Sequence, residues 1–141
     1  MKAFDRIKWL VGAATLLLAA CATMGGGKTL SFALSGGEEV PPVTTPARGS
    51  GTITVAEDMS VTGRFTVSGL SPTMAHIHVG KRGANGPVAI WFDKAGDNVW
   101  AVRAGARFNE AQYKAFLAGE TYVNVHTEKH KPGEIRAQLQ P

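Results

Sequence analysis

The sequence predicts an all-β domain, an antiparallel β-sandwich interrupted by one short helix at about residues 109–118. Short stretches in which apolar and polar residues alternate recur at the spacing of a small sandwich. Turn-forming Gly, Pro, Asn and Asp residues separate these stretches. At 141 residues, the chain has room for one domain.

Residues 1–20 are predicted to be a signal peptide. Three basic residues precede the apolar run 9–18, which is too short to span a membrane. The ending Leu18-Ala19-Ala20-Cys21 resembles a bacterial lipobox, in which Cys21, the single cysteine, is lipidated. The residue after Cys21 is Ala22, whereas an Asp at this position would retain a lipoprotein at the inner membrane. We therefore expect a lipid-anchored protein of the outer membrane that faces the periplasm. An ordinary signal peptide is the alternative.

The charge of the chain argues against nucleic acid as a partner. Residues 1–20 carry three basic and one acidic side chain, so their removal lowers the net charge from +4 to +2. The remaining basic residues are scattered and form no stripe interleaved with aromatics. With Cys21 acylated, no disulfide remains to stabilise the fold.

The first half of the domain is predicted to hold three strands. Residues 21–28, with three consecutive glycines, read as a flexible tether, and the domain is expected over 29–141. Strands are predicted at 29–34, 52–55 and 61–67. Residues 38–48 contain three prolines and are therefore predicted to be a surface connection.

The second half is predicted to hold the remaining strands, at 74–80, 88–92, 99–104, 121–126 and 134–139. Residues 81–87 are typical of a Gly-rich hairpin turn, and the almost continuous apolar run 88–92 predicts a strand buried on both faces.

The helix prediction depends on its caps. Asn109 is a good N-cap, Gln112 stands at the capping-box position, and Gly119 follows the last turn, where a left-handed conformation is expected. Tyr113, Phe116 and Leu117 are predicted to form its buried stripe.

All four histidines fall in two short clusters, which we interpret as two halves of one metal site. His76 and His78 lie two apart on a predicted strand and so share one face, while Ile77 faces the core. By the same alternation His126 also points outward. Imidazole suits copper, zinc, iron and nickel, so three imidazoles that meet on an outer surface predict a metal site.

Two further residues are candidate ligands. Met74 is on the same face and its thioether would favour Cu(I), and His130 follows in the next turn. Glu39 and Glu134 are candidates to orient an imidazole as hydrogen-bond acceptors. Polar surface, packing and exposed charge are the alternatives for these residues. We find no Ser/His/Asp order that suggests a nucleophile and its base.

Seven blocks of the sequence, in order along residues 29–140, resemble the CHRD (chordin) domain, as found in bacterial lipoproteins. They are Glu39-Val40-Pro41-Pro42, Val67-Ser68-Gly69-Leu70, Ala75-His76-Ile77-His78, Asn85-Gly86-Pro87-Val88, Leu117-Ala118-Gly119, Tyr122-Val123-Asn124-Val125-His126-Thr127 and Pro132-Gly133-Glu134-Ile135-Arg136. The resemblance implies a secreted all-β domain of bacterial envelope proteins that recurs in an animal extracellular antagonist of growth-factor signalling, with no established enzymatic activity. His76, His78 and His126 match motif positions.

The sequence therefore predicts an envelope lipoprotein that holds or buffers a transition metal ion, copper first and zinc second. A protein-interaction module without metal, in which the histidines bond to backbone, is the alternative. The predicted sandwich is of the immunoglobulin-like or superoxide-dismutase-like type. Because the His-x-His strand is similar to the copper strand of copper/zinc superoxide dismutase, superoxide dismutation is the third hypothesis.

Overall fold

A computed structural model describes residues 26–141 of the protein. The predicted signal peptide, Cys21 and most of the predicted tether lie outside the described residues. The first strand begins at Lys28, at the end of that tether.

The described chain contains eight strands, one 3₁₀ turn and one α-helix, all joined by short connections. They are β1 (Lys28–Ser35), a 3₁₀ turn (Gly36–Glu38), β2 (Arg48–Val55), β3 (Val61–Ser68), β4 (Pro72–Val79), β5 (Val88–Lys94), β6 (Val99–Val102), α1 (Glu110–Leu117), β7 (Thr121–Thr127) and β8 (Ile135–Leu139). The strands agree with the predicted ones to within a few residues; β2 begins four residues earlier than expected.

The prediction of an antiparallel all-β fold with one short helix is confirmed, but the two-layered sandwich is wrong. The strands follow the order β1-β2-β3-β6-β5-β4-β7-β8 in a single sheet that closes into a barrel. Closure occurs where Ser35 of β1 pairs with Arg136 of β8. Since β1 also pairs with β2 along its whole length, neither the first nor the last strand is left as a free edge.

The barrel interior is apolar and is filled by alternate residues of the strands. Phe65 lies near its centre, with edge-to-face contacts to Phe32 and Phe92 at ring-centroid distances of 6.2 and 4.9 Å. Side chains from β4, β7 and β8 add the buried residues Ala75, Ile77, Val123, Val125, Ile135, Ala137 and Leu139. Alternation therefore places the intervening polar residues of these strands on the outer surface of the barrel.

The helix forms as its caps predict, but its buried stripe is narrower. Asn109 and Gln112 make a reciprocal capping box, and Gly119 follows with φ +72°, the left-handed conformation expected there. Phe116 is fully buried against the barrel, whereas Leu117 is 45% exposed, so its assignment to the core was wrong. None of the described helices is long and apolar enough to cross a membrane.

Strand β5 is not buried on both faces as expected. Ile90 and Phe92 face the interior, while Val88 and Trp91 are about two-fifths exposed. The barrel has one inside only, so a continuous apolar run still leaves alternate side chains on the outer surface.

Three connections cover the outer face of β4, β7 and β8. The connection 36–47 is tied to the connection 80–87 by the Asn85 amide, which donates to the Val40 carbonyl at 2.8 Å. It is tied to the connection 128–134 by the Thr45 hydroxyl, which donates to Glu134 at 2.7 Å. Polar side chains on this face thus lie beneath loops. We call this region the covered face.

Candidate metal centre

Strand pairing brings the two histidine clusters together. In the antiparallel pair of β4 and β7, Met74 lies across from His126, His76 from Asn124, and His78 from Tyr122. His76, His78 and His126 each contribute one ring nitrogen, and these three nitrogens all lie within 4.8 Å of one another. We call these three residues the imidazole triad.

The triad points away from the barrel interior, as the alternation predicts, but it is not exposed. His76, His78 and His126 are only 4%, 8% and 7% exposed. The connections 80–87 and 128–134 contact His78 and His126, and the Trp91 ring of β5 lies 4.2 Å from the His76 ring. This corrects the prediction of a surface site. Coverage of a strand face depends on loops that are distant in sequence, and alternation carries no information about it.

Hydrogen bonds to backbone carbonyls define which nitrogen of two rings carries the proton. Nδ1 of His78 donates to the Gly86 carbonyl at 2.9 Å, and Nδ1 of His126 donates to the Lys131 carbonyl at 2.9 Å. Because a carbonyl only accepts, both protons are on Nδ1, and each Nε2 has a lone pair that can accept a hydrogen bond or bind an ion.

His76 completes the arrangement. Its Nδ1 lies 3.1 Å from Nε2 of His126, and since that Nε2 is an acceptor, His76 donates. Nε2 of His76 and Nε2 of His78 are buried and have no hydrogen-bond partner among residues 26–141. A buried lone pair without a partner carries a free-energy cost that a bound cation would remove.

An aromatic and a cationic side chain support His78 from behind. The Tyr122 ring stacks on the His78 ring at 5.0 Å between centroids and 8° between planes. The guanidinium carbon of Arg136 lies 3.4 Å from the Tyr122 centroid. The Tyr122 hydroxyl also accepts from Gly86 N at 3.1 Å, and so holds the residue whose carbonyl orients His78.

Burial keeps the triad neutral. It lowers the pKa of His76 to about 4, with the neighbouring His126 and His78 rings acting in the same direction. Burial likewise lowers the pKa of His78 and of His126, although the hydrogen bonds to Gly86 and Lys131 oppose it. Neutral imidazole is the form that binds a metal ion, so protons compete less with an ion here than at exposed histidines.

The two additional candidate ligands differ in position. Met74 is 43% exposed and lies directly across from His126, so it is at the edge of the triad on the same outer face. His130 lies outside the triad, in a turn whose backbone hydrogen-bonds to Thr127. The structure therefore brings Met74, but not His130, towards the three imidazoles.

The two carboxylates proposed to orient imidazoles have other partners. Glu39 accepts from the Asn124 amide at 2.5 Å, and burial raises its pKa to about 7. Glu134 accepts from the hydroxyls of Thr127 and Thr45, at 2.7 Å each. Backbone carbonyls take the orienting role instead, which sequence reasoning missed because a carbonyl acceptor has no residue-type signal.

Gly133 shows how closely the connection 128–134 packs on this network. A Cβ atom at Gly133 would lie 2.5–2.7 Å from atoms of Asn124 and Glu39, and its φ of +141° suits glycine. The loop that supplies the Lys131 carbonyl can therefore approach only because this position has no side chain.

The triad has approximately the dimensions of a metal site. Three ligands at roughly 2.0–2.1 Å from one ion lie about 3.3–3.6 Å from one another, so a pair at the 4.8 Å limit would have to close by about 1.2–1.5 Å. His76 and His126, at 3.1 Å, already have the spacing of two ligands of one ion.

Fold and site together define a small all-β barrel domain with a buried three-histidine cluster. A family model for the CHRD domain matches residues 30–139, and the chain therefore belongs to the CHRD domain family. Neither a curated protein nor a solved structure was found that matches the chain.

Proposed function

We propose that the chain is an envelope lipoprotein whose CHRD domain holds or buffers a transition metal ion, copper first and zinc second. The CHRD domain itself suggests an extracellular module. The observation that carries the metal proposal is the pair of buried imidazole nitrogens, Nε2 of His76 and of His78, with no partner among the described residues. Neutral, preoriented imidazoles are the ligands such ions prefer.

Chemically, each ring of the triad has one task. His78 and His126 offer Nε2 while their Nδ1 protons stay on backbone carbonyls. For all three imidazoles to hold one ion, the hydrogen bond from Nδ1 of His76 to Nε2 of His126 would have to break, because that Nε2 would then be a ligand. Because buried ligand atoms leave little room for a substrate, storage is favoured over turnover, and superoxide dismutation stays third.

The alternative is a protein-interaction module in which the histidines serve the fold. The hydrogen bonds of His78 and His126 to backbone carbonyls suit this alternative equally well. The two hypotheses differ over the unpartnered nitrogens, for which an interaction module offers no use.

Titration of the tag-free full chain with copper and zinc ions tests the proposal. His78→Ala removes one of three ligands and should weaken binding about 10-fold or more, whereas His130→Ala, outside the triad, serves as the matched control. An ion at about 100 times its dissociation constant should stabilise the parent by about 2.7 kcal/mol. Equal, weak binding by the parent and His78→Ala would favour the interaction module.

The pH dependence of binding sharpens the test. Unshifted imidazoles, with a pKa near 6.5, would each lose about tenfold in available ligand at pH 5.5. Because burial lowers the pKa of all three rings, that of His76 to about 4, the affinity at pH 5.5 should fall far less. A loss as large as that of free imidazoles would contradict a buried site.

The membrane anchor is tested separately. Cys21→Ser should leave the protein unlipidated and release it from the membrane fraction, because the thiol is the acylated group. If the variant partitions with membranes as the parent does, the lipoprotein assignment fails, and the metal proposal is unaffected.

A further inference from the structure

The imidazole triad is poor in negative charge. Its three ligands are neutral, and no Asp or Glu belongs to the cluster anywhere in residues 26–141. The two buried carboxylates on the covered face accept hydrogen bonds from Asn124, Thr45 and Thr127 rather than from an imidazole. The buried guanidinium of Arg136 instead stacks on the ring that supports His78.

The charge of an ion should therefore strongly affect the free energy with which it binds to the triad. The free energy needed to move an ion from water into a medium of low dielectric constant rises with the square of its charge, so a dication costs about four times as much as a monocation of equal size. In proteins an anionic ligand usually offsets this cost. The triad has none, and Arg136 adds a repulsive charge.

The number of ligands points the same way. Structural zinc sites have four protein ligands, and three-histidine zinc sites hold a water as the fourth ligand, for which buried nitrogens leave little room. The triad supplies three nitrogens, and the side chain directly across from His126 is the thioether of Met74. A thioether is a soft ligand that selects Cu(I).

We propose that the imidazole triad and Met74 together select a soft monovalent cation, Cu(I), over Zn(II) and Cu(II). Met74 acts as the fourth ligand at the solvent edge, where an ion enters and leaves. This inference rests on the proposed function, metal binding at the triad, and adds to it the charge and softness of the ion.

Competitive titration of the tag-free full chain provides the first test. Cu(I) is titrated against a chromogenic Cu(I) chelator under reducing conditions, Ag(I) serves as a redox-silent monovalent probe, and Zn(II) is titrated against a zinc dye. We expect one equivalent of Cu(I) or Ag(I) to bind and to raise the melting temperature. Zn(II) and Cu(II) at the same concentration should leave the melting temperature unchanged.

Substitution of Met74 provides the second test, with two variants that differ in the ligand they leave. Met74→Leu keeps the shape but removes the sulfur, and should weaken Cu(I) and Ag(I) about 10-fold without improving Zn(II). Met74→Glu adds a hard, anionic ligand at the same place and should strengthen Zn(II) about 10-fold while weakening Cu(I). Because Met74 is exposed at 43%, neither change should unfold the barrel.

Two outcomes would overturn the inference and can be told apart. If the parent binds Zn(II) or Cu(II) as tightly as Cu(I), and His78→Ala abolishes that binding, the triad is a metal site without selection for charge. If no ion binds in a His78-dependent way, the proposed function fails and this inference fails with it.

Discussion

The outer face of β1–β3 and the covered face belong to the same barrel, yet the polar side chains on them have opposite surroundings. On β1–β3 most outward positions are short hydroxyl residues, and those open to solvent include Thr29, Ser31, Ser50, Thr52, Thr62 and Thr66. On β4, β7 and β8 they are larger polar residues beneath loops: His76, His78, Tyr122, Asn124, His126, Arg136 and Gln138. Water solvates the first set, whereas the second set must find partners within the protein.

The covered face satisfies its polar atoms almost completely. Arg136 donates to Asn85, to the Lys81 carbonyl and to Gln138, and Gln138 donates to the carbonyls of Gly80 and Gly119. Within the described part of the chain, the unpartnered polar atoms of this face are two imidazole nitrogens of the triad. Because the other polar atoms of the covered face have partners, these two nitrogens are where a ligand would bind.

The largest expected effect comes from removing the buried cation of the covered face. Arg136→Met leaves three acceptors without their donor and should destabilise the protein by about 3 kcal/mol or more. Arg64→Met, at an exposed outward position of β3, should change stability by no more than about 0.5 kcal/mol. Denaturant unfolding measures both. If both variants lose an equally small amount of unfolding free energy, the polar contacts of the covered face stabilise the protein no more than those on the outer face of β1–β3.

A smaller change in stability is expected for Glu39→Gln, and the pKa of Glu39 determines whether the variant is more or less stable than the parent. Burial raises that pKa from its ordinary value of 4.5 to about 7, so the folded state holds a proton that the unfolded state has released between these pH values. The stability of the parent should therefore decline as the pH rises from about 4.5 to about 7. Glu39→Gln should remove this decline and be more stable than the parent at pH 8 by about 1–2 kcal/mol, after allowance for solvent screening.

The matched control for Glu39 lies on the open side of the barrel. Glu57→Gln, in the exposed turn between β2 and β3, should leave the stability profile unchanged within about 0.5 kcal/mol. Thermal unfolding at several pH values distinguishes the two variants. A Glu39→Gln profile parallel to that of the parent would mean that Glu39 titrates as an exposed acid.

The smallest expected effect concerns one hydroxyl. Tyr122→Phe keeps the stack on His78 but removes the acceptor of Gly86 N, and should cost about 1 kcal/mol. It should also loosen the carbonyl that holds the His78 proton on Nδ1, so nitrogen NMR should show a mixture of tautomers. Thr66→Val, which removes an exposed hydroxyl on β3, should have no measurable effect. An unchanged His78 tautomer would show that Gly86 is held by other contacts.

Local chemistry allowed much of the fold and the membership of the site to be predicted from the sequence. Strand alternation depends only on neighbouring residues, and it correctly placed His76, His78 and His126 on the side away from the core. The helix caps at Asn109 and Gly119 are also local, and both formed as predicted.

The closure of the sheet into a barrel and the covering of the triad by loops depend on the tertiary structure. Whether eight strands form two layers or one barrel depends on the pairing of Ser35 with Arg136, about one hundred residues apart, and no local pattern encodes it. The burial of the triad likewise depends on three loops that meet over one face, and its orienting acceptors are the backbone carbonyls of Gly86 and Lys131. Every residue type carries a carbonyl, so the sequence names the three imidazoles, while only the fold determines that they are buried, neutral and aimed at one another.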